Sequence, residues 1–102
     1  MPRKDAGFRL AGITMAEHSL GHAQESQQAL EALMAKHADE QAYQIAEACA
    51  WRGEKDLGFE WLQRSYRQRD GGLSFIKIAP MLTSLRADPR FSALLHKLQL
   101  PE

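Results

Sequence analysis

His18 and His22 stand four residues apart, the spacing that sets two imidazoles on one helix face as zinc ligands. Gly21 lies between them and ends the helix that would carry both, and neither an HExxH arrangement nor a cysteine pair accompanies them. They read as polar residues beside a turn, and no metal is expected. His37 closes its own helix, where a partial positive charge is favourable, and His96 falls on the surface of a tail helix; neither has a visible partner. Cys49 is the only cysteine, so no internal disulfide forms and a reducing, cytoplasmic setting is expected. Its place on an apolar stripe makes it buried and inert, because a reactive thiol needs an exposed, electropositive setting. Nucleophilic catalysis requires a serine or cysteine held near a base and an oxyanion hole. The chain has no GxSxG elbow, no GxGxxG fingerprint and no P-loop, Gly71-Gly72 is a bare turn, and the carboxylates fall on helix exteriors. No catalytic residue, cofactor or enzymatic activity is therefore expected.

Recognition chemistry remains. Tyr43, Glu47 and Trp51 are four apart in turn and form a stripe distinct from the core stripe of Ile45 and Cys49. Large aromatics away from the core are typical contact anchors. Two readings stand side by side: an open surface that holds a partner, or a stripe that the C-terminal tail folds over and buries as core, since so short a stack must cover much of its inner face. A second cluster, Arg64, Tyr66, Arg67 and Arg69, combines charge with an aromatic as single-stranded RNA recognition does. Thirteen basic and thirteen acidic side chains cancel, however, and a neutral chain offers little of the electrostatic attraction nucleic acid or an anionic membrane would need. The span from Glu17 to Glu47 holds six acidic residues against Lys36 alone, which fits two solvated helix faces. Arg9 interrupts the apolar residues near the start and no stretch reaches membrane length, so neither a signal peptide nor an anchor is expected.

These residues need helices to place them. At 102 residues the chain makes one domain that buries roughly 60 to 70% of its unfolded surface. Between Tyr43 and Tyr66 two amphipathic runs fold back on each other about Arg52-Gly53-Glu54. Ala42, Ile45, Ala46 and Cys49 share one face of the first run; Phe59, Leu62 and Tyr66 share one face of the second. Gly53 supplies the left-handed backbone that stops the first helix. Gly58, inside the second, costs about 1 kcal/mol relative to alanine and implies a tight crossing at Ala46, where a side chain would hold the helices apart. An earlier hairpin precedes this one: residues 7–20 carry a ragged face of Leu10, Ile13 and Glu17, Gly21 breaks the helix, and residues 23–37 carry Leu30, Leu33 and Met34. Gly21 and Gly53 are 32 residues apart, an internal repeat of the helical-hairpin class. Asp39 is placed to cap the next helix.

Ala46, Gly53, Gly58 and Leu62 stand in the order and spacing of a tetratricopeptide repeat (TPR), which this segment resembles. The wider run AYQIAEACAWRGEKDLGFEWLQRSYRQRDGGL, with LRADPRFSALLHKL, resembles the last repeat and tail of bacterial TPR proteins. The resemblance implies an all-α, right-handed solenoid fragment: residues 1–6 flexible, two TPR-like antiparallel hairpins at about 7–37 and 40–69, and a C-terminal helical cap over 71–102. The first hairpin departs from the motif at Glu17 and Ser26, as an atypical terminal repeat does, or one that a preceding repeat covered. In TPR arrays the first helix of each hairpin lines a concave surface that takes extended peptides. Aligned on the turn glycines, the residues so implied are Phe8, Met15 and His18 from the first hairpin and Tyr43, Glu47 and Trp51 from the second. The expected function is non-catalytic protein-protein interaction with a protein or peptide partner. Self-association as a homodimer, a regulatory tail of a bacterial signalling kinase or cyclase, and single-stranded RNA binding are the alternatives.

In the tail, Asp70-Gly71-Gly72 breaks the helix, and Leu73 to Ile78 allows a strand or one or two helical turns; helix is favoured because a lone strand would leave its backbone unpaired. Pro80 opens a short helical turn through Arg86. Asp88-Pro89 then starts the last helix as N-cap and first residue, with Phe91, Leu94, Leu95 and Leu98 as its apolar face. The segment from Leu73 to Leu98 takes the place of a third hairpin.

Overall fold

Two glycines with positive φ, Gly21 at 82° and Gly53 at 80°, organise the fold. The computed structural model describes residues 4–68, 73 and 76–98. Among these lie α1 (Lys4–Ser19), α2 (Ala23–His37), α3 (Ala42–Trp51), α4 (Lys55–Arg67), a 3-10 helix (Pro80–Leu85) and α5 (Pro89–Lys97), with no strand. Each glycine closes a helix by the same pair of backbone bonds. Gly21 N–H donates to His18 O and His22 N–H to Glu17 O, at 3.0 and 2.8 Å; Gly53 N–H donates to Ala50 O and Glu54 N–H to Cys49 O, at 3.0 and 2.9 Å. This is the Schellman arrangement, which satisfies the last carbonyls of a helix and requires a left-handed residue. The carbonyls of His22 and Glu54 then accept from Ser26 and Gly58, opening α2 and α4 in the same way. The 32-residue repeat is thus reproduced bond for bond at both turns.

The hairpins differ where their helices cross. In the first, Ser26 is fully buried and its Oγ donates to Thr14 O at 2.7 Å. Thirty-two residues on, Gly58 occupies the place of Ser26 and Ala46 that of Thr14. A Cβ on Gly58 would lie 3.7 Å from Ala46 O and 3.5 Å from Leu85 Cδ1, ordinary contact distances. The crossing is close, as expected, but it admits a methyl group. Buried leucines recur at the same interval, with Leu30, Leu62 and Leu94 on α2, α4 and α5. Helix α3 is the centre of the molecule, packed against α1, α2, α4 and the 3-10 helix. Arg52 at its end ties the hairpins, donating to Gln27 Oε1 at 2.8 Å and lying 3.3 Å from Glu54 Oε2.

Several expectations need correction. Helix α1 begins at Lys4, so residues 4–6 are helical; residues 1–3 lie outside the described residues. Its buried residues are Gly7, Ala11 and Thr14; of the expected face, Leu10 packs against the core half-buried, Glu17 is half-buried and Ile13 is 40% exposed. Small residues let α1 approach Gln41 so closely that a Cβ on Gly7 would meet Gln41 Cγ at 2.6 Å. Asp39 does not cap α3. Glu40 and Gln41 N–H both donate to His37 O, which prolongs the end of α2 past Asp39, and Gln41 becomes the N-cap without a side-chain bond.

In the tail, Ile76 N–H donates to Leu73 O at 3.2 Å, a single turn; Arg69 through Gly72, Ser74 and Phe75 lie outside the described residues. Pro80 does open a helix, of the 3-10 kind, whose Leu82 and Leu85 are buried and whose Ser84 Oγ donates to Ala50 O at 2.8 Å. Asp88 caps α5 as expected, Oδ1 accepting from Arg90 N–H at 2.9 Å. Hydrogen bonds from the Arg90 side chain, then from its backbone, hold the Asp88 carboxyl down at about 2. Arg90 also pairs with Asp56 of α4 at 2.9 Å and lies 4.4 Å over the Phe59 ring, fastening α5 to the second hairpin.

Candidate functional site

Helices α1 and α3 meet at their C-terminal ends through equivalent positions of the repeat. Trp51 Nε1 donates to Ser19 Oγ at 2.9 Å, and the two residues are 32 apart. The bond satisfies the one polar atom of the indole and fixes the ring between the helices, leaving Trp51 44% exposed. Around it, Met15, Ala16, Ser19 and Met81 complete a groove of ≈ 240 Å³. Trp51 and Met81 are shared with an adjoining hollow bounded by Ala50, Pro80, Thr83 and Ser84. The site is assembled from α1, the last residue of α3 and the 3-10 helix, and its lining is almost wholly apolar.

Of the six residues aligned to a concave surface, the structure brings Met15 and Trp51 together. Phe8, 53% exposed, lies two helical turns before Met15 on the same face of α1. His18 is exposed and does not line the groove. Tyr43 and Glu47 are corrections. They are only 2% and 8% exposed, because α3 is enclosed by four elements. Their spacing correctly placed them on one face with Trp51, but not what covers that face. Met81 and Ser19 were missed. Ser19 could have been found by stepping back one repeat from Trp51; Met81 had no local signal, since its role depends on where the 3-10 helix docks.

The other candidates for chemistry are engaged elsewhere. His22 does not join His18 but pairs with Glu17, Nδ1 to Oε1 at 2.6 Å, and the hydrogen bond to Glu17 followed by its charge raises the His22 pKa. Among the described residues no group of three or more His, Cys, Asp or Glu could hold a metal ion. His37, expected to lack a partner, is buried with Nδ1 3.1 Å from Glu40 Oε1, and His96 is also engaged. Burial, then the charge of Glu54, pushes the Cys49 thiol up to about 12, far from the thiolate form that reacts. In the basic cluster, Arg64 lies 4.6 Å over the Trp61 ring and Lys97 5.2 Å over Tyr66, so the chain's own cations cover faces a stacked base would use. Arg69 lies outside the described residues. Among the described residues no helix is long and apolar enough to cross a membrane.

No protein-family model, curated protein or solved structure matches this chain.

Proposed function

We propose that this chain is a non-catalytic interaction module of the TPR kind, a fragment of right-handed helical solenoid whose groove at Trp51 receives a bulky apolar side chain from an extended segment of a protein partner. One observation carries the reading: a half-exposed tryptophan, its N–H already satisfied by Ser19, stands fixed in an apolar groove between two methionines. A ring held in place beforehand loses little freedom when a partner arrives, which is what lets one aromatic dominate an interface. Met15 and Met81 can adjust to the incoming shape. The apolar lining of Met15, Ala16, Trp51 and Met81 suits such a side chain. The backbone bonds repeated at the two turns, 32 residues apart, support the TPR reading.

Selection of displayed peptides on the immobilised chain, with Trp51→Ala as counter-target, tests this. The expected result is enrichment of sequences sharing one large apolar residue, bound at least about 30-fold more weakly by the variant, equivalent to about 2 kcal/mol. Equal retention on both targets would remove the groove from the account. A second reading, self-association, is favoured by Ile13 and Leu20, which are 40% and 68% exposed on and just beyond α1. Sedimentation equilibrium separates it: a dimer dispersed by Ile13→Glu would replace the groove with this face.

A further inference from the structure

A second cavity, of ≈ 260 Å³, lies in the tail away from Trp51 and is lined by Lys77, Arg86, Phe91, Ser92 and Leu95. Two cations border it, and among the described residues its lining contains no carboxylate. The acid nearest Arg86 in sequence, Asp88, is occupied: Oδ1 accepts from Arg90 N and Nε, and Oδ2 from Nη2, at 2.9, 3.1 and 3.0 Å. Arg86 is held instead by neutral acceptors. Its Nη2 donates to Ala79 O at 2.6 Å and its Nη1 to Thr83 Oγ1 at 3.3 Å, while Nε is buried without a partner among the described residues. Carbonyl and hydroxyl dipoles offset only part of a guanidinium's charge. Lys77 is exposed and makes no ion pair among the described residues.

The rest of the lining sets the ligand's other half. Phe91 and Leu95 are buried core residues whose edges form an apolar wall, and Ser92 adds a hydroxyl. Like charges on one cavity repel unless an anion lies between them, and an anionic oxygen meeting Arg and Lys gains charge-assisted hydrogen bonds. A bare anion would leave the wall unused. We infer that this cavity binds a small organic anion, a carboxylate or phosphate head between Lys77 and Arg86 carried by an apolar body lying against Phe91 and Leu95. The inference is independent of the Trp51 groove, which shares none of these residues.

The test is a titration of the full chain, followed by amide proton-nitrogen correlation spectra, with phenylacetate, phenyl phosphate, inorganic phosphate and neutral phenylacetamide as probes. Saturable shifts at Lys77, Arg86 and Ser92 are expected from the first two, and the tighter of these gives the head group. Lys77→Ala should weaken binding about tenfold, and Lys77→Glu should abolish it, with the thermal midpoint unchanged because Lys77 is exposed. Arg86→Gln removes the bond to Ala79 as well, so the Lys77 variants carry the decision. No saturable shift from either aromatic anion, an equal response to phenylacetamide, inorganic phosphate binding as tightly as phenyl phosphate, or unaltered binding by Lys77→Glu would each overturn the inference.

Discussion

The two hairpins turn on the same backbone bonds yet use their first helices in opposite ways. Helix α1 buries small residues and leaves Phe8 and Ile13 in solvent; α3 is buried from Ala42 to Ala50 apart from Gln44 and reaches the surface at Trp51. Local chemistry fixes the turn, because a left-handed glycine and the two bonds it permits need nothing from elsewhere. Position in the stack decides burial: α3 is packed against four elements, whereas α1 packs chiefly against α2 and α3. The groove proposed to receive a partner lies where the exposed helix and the enclosed one meet.

That contrast can be broken most forcefully at the aromatics. Tyr43→Ala should cost about 3 to 5 kcal/mol of unfolding free energy, as expected of core aromatics, whereas Trp51→Ala, at a half-exposed ring, should cost about 1 to 2 kcal/mol. Urea denaturation of both variants decides it, and equal losses would place Trp51 in the core. Next in size is the pair of small residues at helix contacts. Gly7→Ala should destabilise by about 1 to 3 kcal/mol, since its methyl would collide with buried Gln41. Gly58→Ala should be neutral or stabilising by up to about 1 kcal/mol, because the methyl has room and alanine favours the helix. The reverse order in thermal melts would contradict the packing described at the two sites.

Smaller, and a test of sameness instead of difference, are Gly21→Ala and Gly53→Ala. Both glycines have φ near +80° and a methyl added at either would meet nothing within 4 Å, so each variant should lose a similar amount, about 1 to 2 kcal/mol, from backbone strain alone. The smallest effect concerns pH. The residue after each turn glycine is His22 in the first hairpin and Glu54 in the second, and the raised pKa belongs to His22, beside Glu17. A group whose pKa is raised on folding contributes its stability below the unfolded value of 6.5 and loses it as pH rises through the folded value. The thermal midpoint of the native chain should therefore exceed that of His22→Gln at pH 5 to 6, and the difference should vanish at alkaline pH. A difference constant with pH would mean that the pair is not what His22 contributes.

How much of this could be read from the residues follows the same division. Gly21, Gly53 and Asp88-Pro89 were legible because caps and turns are settled within a few residues. The burial of Cys49 was legible from its stripe. The buried face of α1 was not, since Gly7, Ala11 and Thr14 carry almost no apolar signal while the more apolar Ile13 points outward. The shared face of Tyr43, Glu47 and Trp51 was visible as a periodicity, but which of them a neighbour would cover depends on how the 3-10 helix and α1 flank α3. Met81 joins the groove by a contact 30 residues distant in sequence from Trp51, beyond the reach of any local pattern.

Methyl-labelled methionine spectra of the chain with a peptide selected on it report whether a partner binds in the groove at Trp51. Saturable shifts of Met15 and Met81 and of the Trp51 indole N–H are expected, with Met34 on α2 unmoved. Shifts that bypass Met15 and Met81, or that persist undiminished in Trp51→Ala, would contradict binding there.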